Sequence, residues 1–279
     1  MRIDLYTLCW NDADMLGFFF RHYDRFVERY VVYDDGSTDR SLEILRANPK
    51  VEVRQARLDS NRDSLVLSGM QLMETFWMES RGSADWVICT DIDEHLYHPH
   101  LLDYLANCKN GGITIIPALG YQMLSETFPP NDQLLCESVT MGAPWVQMNK
   151  LNIFSPDAVE SLNYAPGRHM ARPTGEILAP DRDELLLLHY KYLGFERTRR
   201  RLEECAPRLR KMELENGWCH RWGWTSEQLQ EDWKKFEGEL VDVSQPDLKP
   251  WQSHPAPRWW ESYRISLSTG LLETDGAAG

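Results

Sequence analysis

Over the first 120 residues, short strand-like apolar runs alternate with helical stretches. The strands read as "RIDLYTLCW" (2–10), "RYVVYDD" (29–35), "VEVRQA" (51–56), "DWVICTD" (85–91) and "GGITIIPAL" (111–119). Between them, Asn11 or Asp12 can cap a helix running to about Arg29, and Thr38 or Asp39 a second running to about Ala47. A third helix spans Asp63 to Ser80, and "HPHLLDYLANC" reads as a fourth. Such alternation builds a mostly parallel sheet with helices on both faces, so the expected class is α/β.

From about 120 to 190 the periodicity weakens and Pro, Gly and Asn multiply ("ETFPPND", "MGAPW", "YAPGRH", "LAPDRD"), as in long functional loops. "ELLLLHYKYLGF" (184–195) returns to an apolar strand that reaches His189. Residues 196–216 read as a helix, basic early and broken at Pro207. Seven of the eleven tryptophans lie beyond residue 216. The expected organisation is one domain over residues 1–195 and a helical, Trp-rich extension over 196–279.

In open α/β sheets, ligands bind outside the carboxyl ends of the strands. Asn11, Asp34, Asp35, Asp91 and Asp93 all fall at such ends, so their side chains are expected at one rim. Carboxylates gathered there repel unless a cation or donor groups join them. Asp91 and Asp93 point to the same side of an extended segment, and Mg²⁺ or Mn²⁺ prefers carboxylate oxygens. A carboxylate closing the second strand can accept from a uracil or guanine N–H or a ribose hydroxyl, with Gly36 turning the backbone away. The plainer reading of "DDGSTD" is a turn followed by a helix cap.

The formal charge of −13, from 30 Lys and Arg against 43 Asp and Glu, argues against nucleic acid as a partner. The six cysteines contain no CxxC pair and read as reduced thiols. No secretory leader is legible, and no apolar run approaches the roughly 20 residues that cross a bilayer. A cytoplasmic protein is expected, with peripheral membrane contact and oligomerisation left open.

Three pieces in order, "TLCWND" ending the first strand, "VVYDDGSTDRS" ending the second and "DID" after a buried strand, resemble the family 2 glycosyltransferases of the GT-A fold. "TDIDEHLYHP" further resembles a bacterial subgroup carrying D-x-D-E. The resemblance implies a metal-dependent glycosyltransferase using Mn²⁺ or Mg²⁺. It would move a sugar from a UDP- or GDP-sugar to a hydroxyl of a saccharide or glycoconjugate acceptor, with inversion. It also implies Asp93 as the most direct metal contact, Asp91 as a ribose or metal contact, and His189 as a further metal or diphosphate ligand. A nucleoside role falls to Asp34 or Asp35, with Thr7 and Trp10 or Asn11 nearby.

Other residues have two readings. His189 could be a satisfied core histidine. Lys191, with Arg197 and Arg199 to Arg201, could neutralise a diphosphate or be a solvated face; His169 is a weaker candidate for the same site. A general base for the acceptor hydroxyl is expected well downstream of D-x-D. Asp183 stands at about the right remove, with Glu126, Asp181, Glu184 and Glu137 as competitors. Trp145, Trp218, Trp222 and Trp224 could stack on an acceptor sugar or fill a core. A zinc site from His95, His98 and His100 lacks a fourth ligand and a nearby cysteine.

The rivals need features this chain does not carry. A sugar nucleotidyltransferase opens with a glycine-rich basic loop after the first strand, and a dinucleotide-dependent oxidoreductase with GxGxxG; here that place reads "CWNDAD". A non-catalytic nucleotide-sugar or carbohydrate-binding module of the same fold stays as the alternative.

Overall fold

Side-chain alternation along each strand decides the two faces of the central sheet. The computed structural model describes residues 1–264. Its first part runs β1 (Ile3–Cys9), α1 (Ala13–Tyr23), β2 (Arg29–Asp34), α2 (Ser41–Ala47), β3 (Val51–Gln55), α3 (Leu65–Thr75) and β4 (Trp86–Cys89). There follow β5 (Glu94–Tyr97), α4 (Leu101–Asn110), β6 (Ile115–Ser125), α5 (Leu135–Ser138), β7 (Met141–Pro144) and β8 (Lys150–Phe154). After β9 (Val159–Ser161), β10 (Thr174–Gly175) and β11 (Leu186–Leu193) come α6 (Phe195–Cys205), α7 (Lys211–Asn216), α8 (Ser226–Glu237) and β12 (Val241–Asp242).

Ile3, Leu5 and Cys9 of β1, with Trp86 and Ile88 of β4, pack under α1, α2 and α4. Their alternates Tyr6, Val87 and Cys89 face Met73 of α3 and Phe76 and Trp77 beyond it. The fold is therefore mixed α/β with helices on both faces. The sheet has ten strands in the order β12-β7-β6-β8-β4-β1-β2-β3, with β11 pairing β6 and β5 off that path. β1, β2, β3, β4, β6, β11 and β12 share one direction; β5, β7 and β8 run against it. β9 and β10 form a separate hairpin-like pair.

Several boundaries differ from the sequence reading. α1 stops at Tyr23 because the N–H groups of Phe26 and Val27 both turn back to its carbonyl. The third helix is α3, capped by Ser64, which accepts from the Leu67 N–H at 3.0 Å; a tighter turn from Phe76 to Ser80 follows it. "GG" at 111–112 ends α4, with Gly112 at φ +74°, so β6 begins only at Ile115. Six strands, β5, β7, β8, β9, β10 and β12, sit where none was expected. β8 is central, between β4 and β6, yet carries Lys150 and Asn152 inside.

Residues 196–264 share cores with the rest of the chain. β12 extends the sheet beside β7, Tyr192 stacks on Trp233 of α8 at 5.2 Å, and Trp260 is fully buried in the main core. All six cysteines are unpaired. Among the described residues no helix is long and apolar enough to cross a membrane.

Gly120 of β6 lies close against neighbouring backbone. A Cβ there would lie 2.4 Å from the Met148 carbonyl carbon, while the Gly120 carbonyl accepts from the Trp145 N–H and the His254 ring. Gly120→Ala is expected to lower the unfolding free energy by about 2–3 kcal/mol, read by urea titration with the slope unchanged.

Candidate active site

The carboxyl ends of β1, β2 and β4 open into a cleft of about 680 Å³. Trp10, Asp35, Asp91, Asp93, His189 and Lys191 all line it. These six come from four strands, the ends of β1, β2 and β4 and the body of β11, and are brought together by the sheet order.

The D-x-D segment is held by a ladder and a turn. After β4 the chain turns through Thr90–Asp93, closed by the Glu94 N–H on the Asp91 carbonyl at 3.1 Å. β5 then pairs antiparallel with β11, placing Glu94 opposite His189, and the Tyr190 N–H donates to the Asp93 carbonyl at 2.7 Å. This register sets the His189 Nε2 3.5 Å from Asp93 Oδ2. Behind the ring, Nδ1 meets Gln122 Oε1 at 2.8 Å. The Gln122 amide nitrogen donates to the carbonyls of Met123 and His189, so its oxygen must accept and Nδ1 carries the hydrogen. Nε2 is left facing Asp93 and the cleft, as an ion-pair donor or a metal ligand.

Glu94, the third carboxylate, points inward and is 1% exposed. Lys150 donates to it closely, Asn152 donates at 3.1 Å, and Arg168 lies at 3.3 Å. Arg168 also donates to the Cys89 carbonyl at 2.9 Å and pairs with Asp91 at 2.7 Å. It reaches in from a loop where Gly167 and Arg168 both have positive φ, +75° and +60°. Burial disfavours the Glu94 charge, yet Lys150 and Arg168 outweigh it and hold the carboxyl well below the usual carboxylate range.

The two aspartates of D-x-D have different surroundings. Burial pushes the Asp91 carboxyl up, partly offset by Arg168. For Asp93 burial is overcome by the His189 and Lys191 charges, and the carboxyl stays low. Lys191 is itself pushed down by burial, opposed by Asp93. Among the described residues, Lys191 has no carboxylate within ion-pair distance.

The three residues expected to hold a metal, Asp91, Asp93 and His189, all line the cleft, with Asp91 the most engaged by cations. Asp91 Oδ2 is taken by Arg168, with Lys150 3.7 Å away, and among the described residues no three His, Cys, Asp or Glu side chains form a ready metal cluster. Asp93 and His189 do fit a hard divalent ion that takes its remaining ligands from water and phosphate.

At the β1 and β2 ends, Trp10 and Asp35 face the cleft. Arg208 pairs with Asp35 and lies 4.0 Å from the Trp10 ring centre, while Arg201 pairs with Asp12 at 2.7 Å. Burial raises the Asp12 carboxyl to about 6 despite Arg201. Three expected donor contacts are engaged in local hydrogen bonds. Asp34 accepts from the Gly36 and Ser37 N–H groups at 3.0 and 3.1 Å. Asn11, at φ +51°, accepts from Thr38 N–H at 2.7 Å. Thr7 is fully buried and donates to the Leu8 carbonyl at 3.2 Å.

The expected bases do not line the cleft. Asp183 is 2% exposed, accepts from Trp260 Nε1 at 2.7 Å and pairs with Arg258 and Arg264, an arrangement that fixes the C-terminal segment. Glu126, Asp181 and Glu137 are exposed elsewhere, and Glu184 is half-buried. His95 is a core residue stacked on His22 at 4.6 Å, which removes the zinc reading. His169, exposed to solvent, lines the cleft beside Arg168. Trp145, Trp218 and Trp222 line it too; the Trp145 ring sits 5.8 Å from His189.

Lys150, Arg168, Gln122 and Arg208 were not singled out in the sequence. Gln122 had a signal, as a lone polar residue inside a buried apolar strand.

No family model matches the chain, and no curated protein matches it. Among solved structures, it is similar to TarS 1–349 of S. aureus in complex with UDP, at 15% identity over 56% of this chain and 47% of that one, TM-score 0.32. It is also similar to S. aureus TarS, at 13% identity over 84% and 43%, TM-score 0.36. A third is glucosyl-3-phosphoglycerate synthase from Mycobacterium tuberculosis in complex with Mn²⁺, UDP and glucosyl-3-phosphoglycerate, at 16% identity over 60% and 62%, TM-score 0.34. The chain thus spans 43% to 62% of the length of these three.

Glu94→Gln is expected to cost about 3–5 kcal/mol at neutral pH, since Lys150 and Arg168 lose a buried counter-charge. Because the folded carboxyl sits below its unfolded value, that stabilisation is complete above about pH 5 and is lost on acidification. Urea titrations of both proteins across pH should therefore converge in acid.

Proposed function

We propose that the chain is a metal-dependent glycosyltransferase of the GT-A type, moving a sugar from a nucleoside-diphosphate sugar to a hydroxyl of a saccharide or glycoconjugate acceptor. The observation that carries this reading is the Asp93–His189 pair, 3.5 Å apart in a cleft at the strand ends, beside Lys191. Asp93 and His189 would hold the divalent ion, with Gln122 fixing the imidazole so that Nε2 points at it. Bound there, Mn²⁺ or Mg²⁺ would act as a Lewis acid toward the departing nucleoside diphosphate. Lys191, half-buried and without a carboxylate of its own among the described residues, is placed to take a phosphate oxygen.

Trp10 and Asp35 supply the nucleoside end: an indole face for a base and an acceptor for its ring N–H. Asp91 acts through Arg168, keeping the D-x-D turn in place. In a single displacement the sugar–oxygen bond to the diphosphate breaks as the acceptor oxygen bonds to the opposite face, giving inversion, and the acceptor proton must leave. Since Asp183 and Glu126 do not line the cleft, a different group takes that proton.

A non-catalytic binding module remains the second reading, because it needs the same donor contacts but no base. A panel of UDP- and GDP-sugars with Mn²⁺ separates the two. Donor hydrolysis or transfer identifies the enzyme, and saturable binding without turnover identifies the module. Asp93→Ala should abolish turnover with an unchanged melting profile, as should excess chelator; full activity in either would exclude the proposal. Gln122→Leu should weaken Mn²⁺ binding by about 10- to 100-fold, measured by titration calorimetry in the presence of UDP.

A further inference from the structure

Arg208 reaches the cleft from the turn between α6 and α7 and makes two contacts there. Its guanidinium carbon lies 4.0 Å from the centre of the Trp10 ring, and Nη2 donates to the Asp35 carboxylate. Both partners in the ion pair are about one-fifth exposed, 20% and 21%, so the contact sits at the cleft wall. A guanidinium is flat, delocalised and rich in N–H donors. A pyrimidine or guanine ring would make the same two demands on a slot, a face to stack against and an acceptor for its ring N–H.

The neighbouring side chains of this segment mainly hold backbone, although Arg201 also pairs with Asp12 and lies 5.2 Å from the same Trp10 ring centre. Arg201 donates to the carbonyls of Trp10 and Asn11 at 2.8 and 2.9 Å, and Arg210 to those of Leu58 and Asn61 at 2.7 and 2.9 Å. Glu213 accepts from Ser64 Oγ and the Val66 N–H at 2.6 and 3.1 Å. These contacts satisfy backbone groups and the start of α3, and they stitch residues 201–213 across the ends of β1 and β3. Arg208, delivered by that seam, binds two side chains that line the cleft.

We propose that Arg208 is an internal stand-in for the nucleobase, held by Trp10 and Asp35 until a nucleotide displaces it. The proposal rests on the donor reading above, which supplies the nucleotide. An occupied slot lowers apparent donor affinity by the fraction of molecules in which it is open.

Titration calorimetry of the full chain with UDP and with GDP, in the presence of Mn²⁺, tests this on wild type, Arg208→Ala and Arg208→Lys. Arg208→Ala should bind about tenfold more tightly than wild type. Arg208→Lys should fall between, because an ammonium keeps the ion pair and loses the stacking face. Millimolar methylguanidinium should weaken UDP binding to Arg208→Ala and leave wild type unchanged. Should Arg208→Ala fail to fold by circular dichroism, Arg208→Lys carries the comparison: tighter binding supports the stand-in. Weaker binding in the variants would make Arg208 a donor contact, and equal binding in all three would make its pairing incidental; either overturns the proposal while sparing the donor reading. No binding of either nucleotide to any of the three proteins would overturn both.

Discussion

One buried carboxylate organises the cleft. Placing Glu94 in the interior costs several kcal/mol by itself, and it is held there because cations from two other segments close on it. Lys150 comes from the unexpected strand β8, and Arg168 from a loop whose backbone enters the left-handed region to deliver it. Three pieces of chain far apart in sequence are thereby fixed to one point. The turn that follows β4 inherits that position, and Asp91 and Asp93 inherit it from the turn.

Register then does the rest. Successive side chains of a strand face opposite ways, so a one-residue slip of β5 against β11 would exchange His189 for Leu188 or Tyr190 opposite Glu94. The Tyr190–Asp93 backbone bond and the Gln122 amide both oppose such a slip, the first through the ladder and the second through the imidazole. The Asp93–His189 pair thus follows from strand pairing, with no loop needed to find it.

The α/β class and the first four strands were legible because their apolar alternation is strong and their ends carry turn residues. β8 was not: Lys150 and Asn152 break its alternation, and only their partner Glu94, 56 residues away for Lys150, explains why they are inside. The gathering of Asp35, Asp91 and Asp93 could be anticipated from strand ends, since that rule concerns topology, whereas His189, inside β11, is named only through the resemblance. Which of the neighbouring acids faces the cleft could not be anticipated, because it depends on local turns. Asp34 folds back onto the Gly36 and Ser37 N–H groups while Asp35 points outward, and the sequence "DDG" is silent on the choice. The burial of Asp183 was hidden for a related reason: its partners Arg258, Trp260 and Arg264 lie about eighty residues downstream, beyond any local pattern.

The pairing pattern also says which charges are available to a ligand. Arg168 and Lys150 are committed to Asp91 and Glu94, Arg201 to Asp12, Arg197 to Asp14 and Arg221 to Asp232. A cation already paired at 3 Å offers an incoming anion little, because the new contact must first offset the loss of the old one. Lys191 has no such partner among the described residues, and Asp93 has only a histidine whose other nitrogen is spoken for. Among the described residues, a chain with thirteen excess negative charges thus leaves the Lys191 ammonium and the Asp93–His189 pair open in its cleft. Under the proposed function, that combination would serve a ligand that brings an anion and a divalent ion together, which a neutral sugar alone would not.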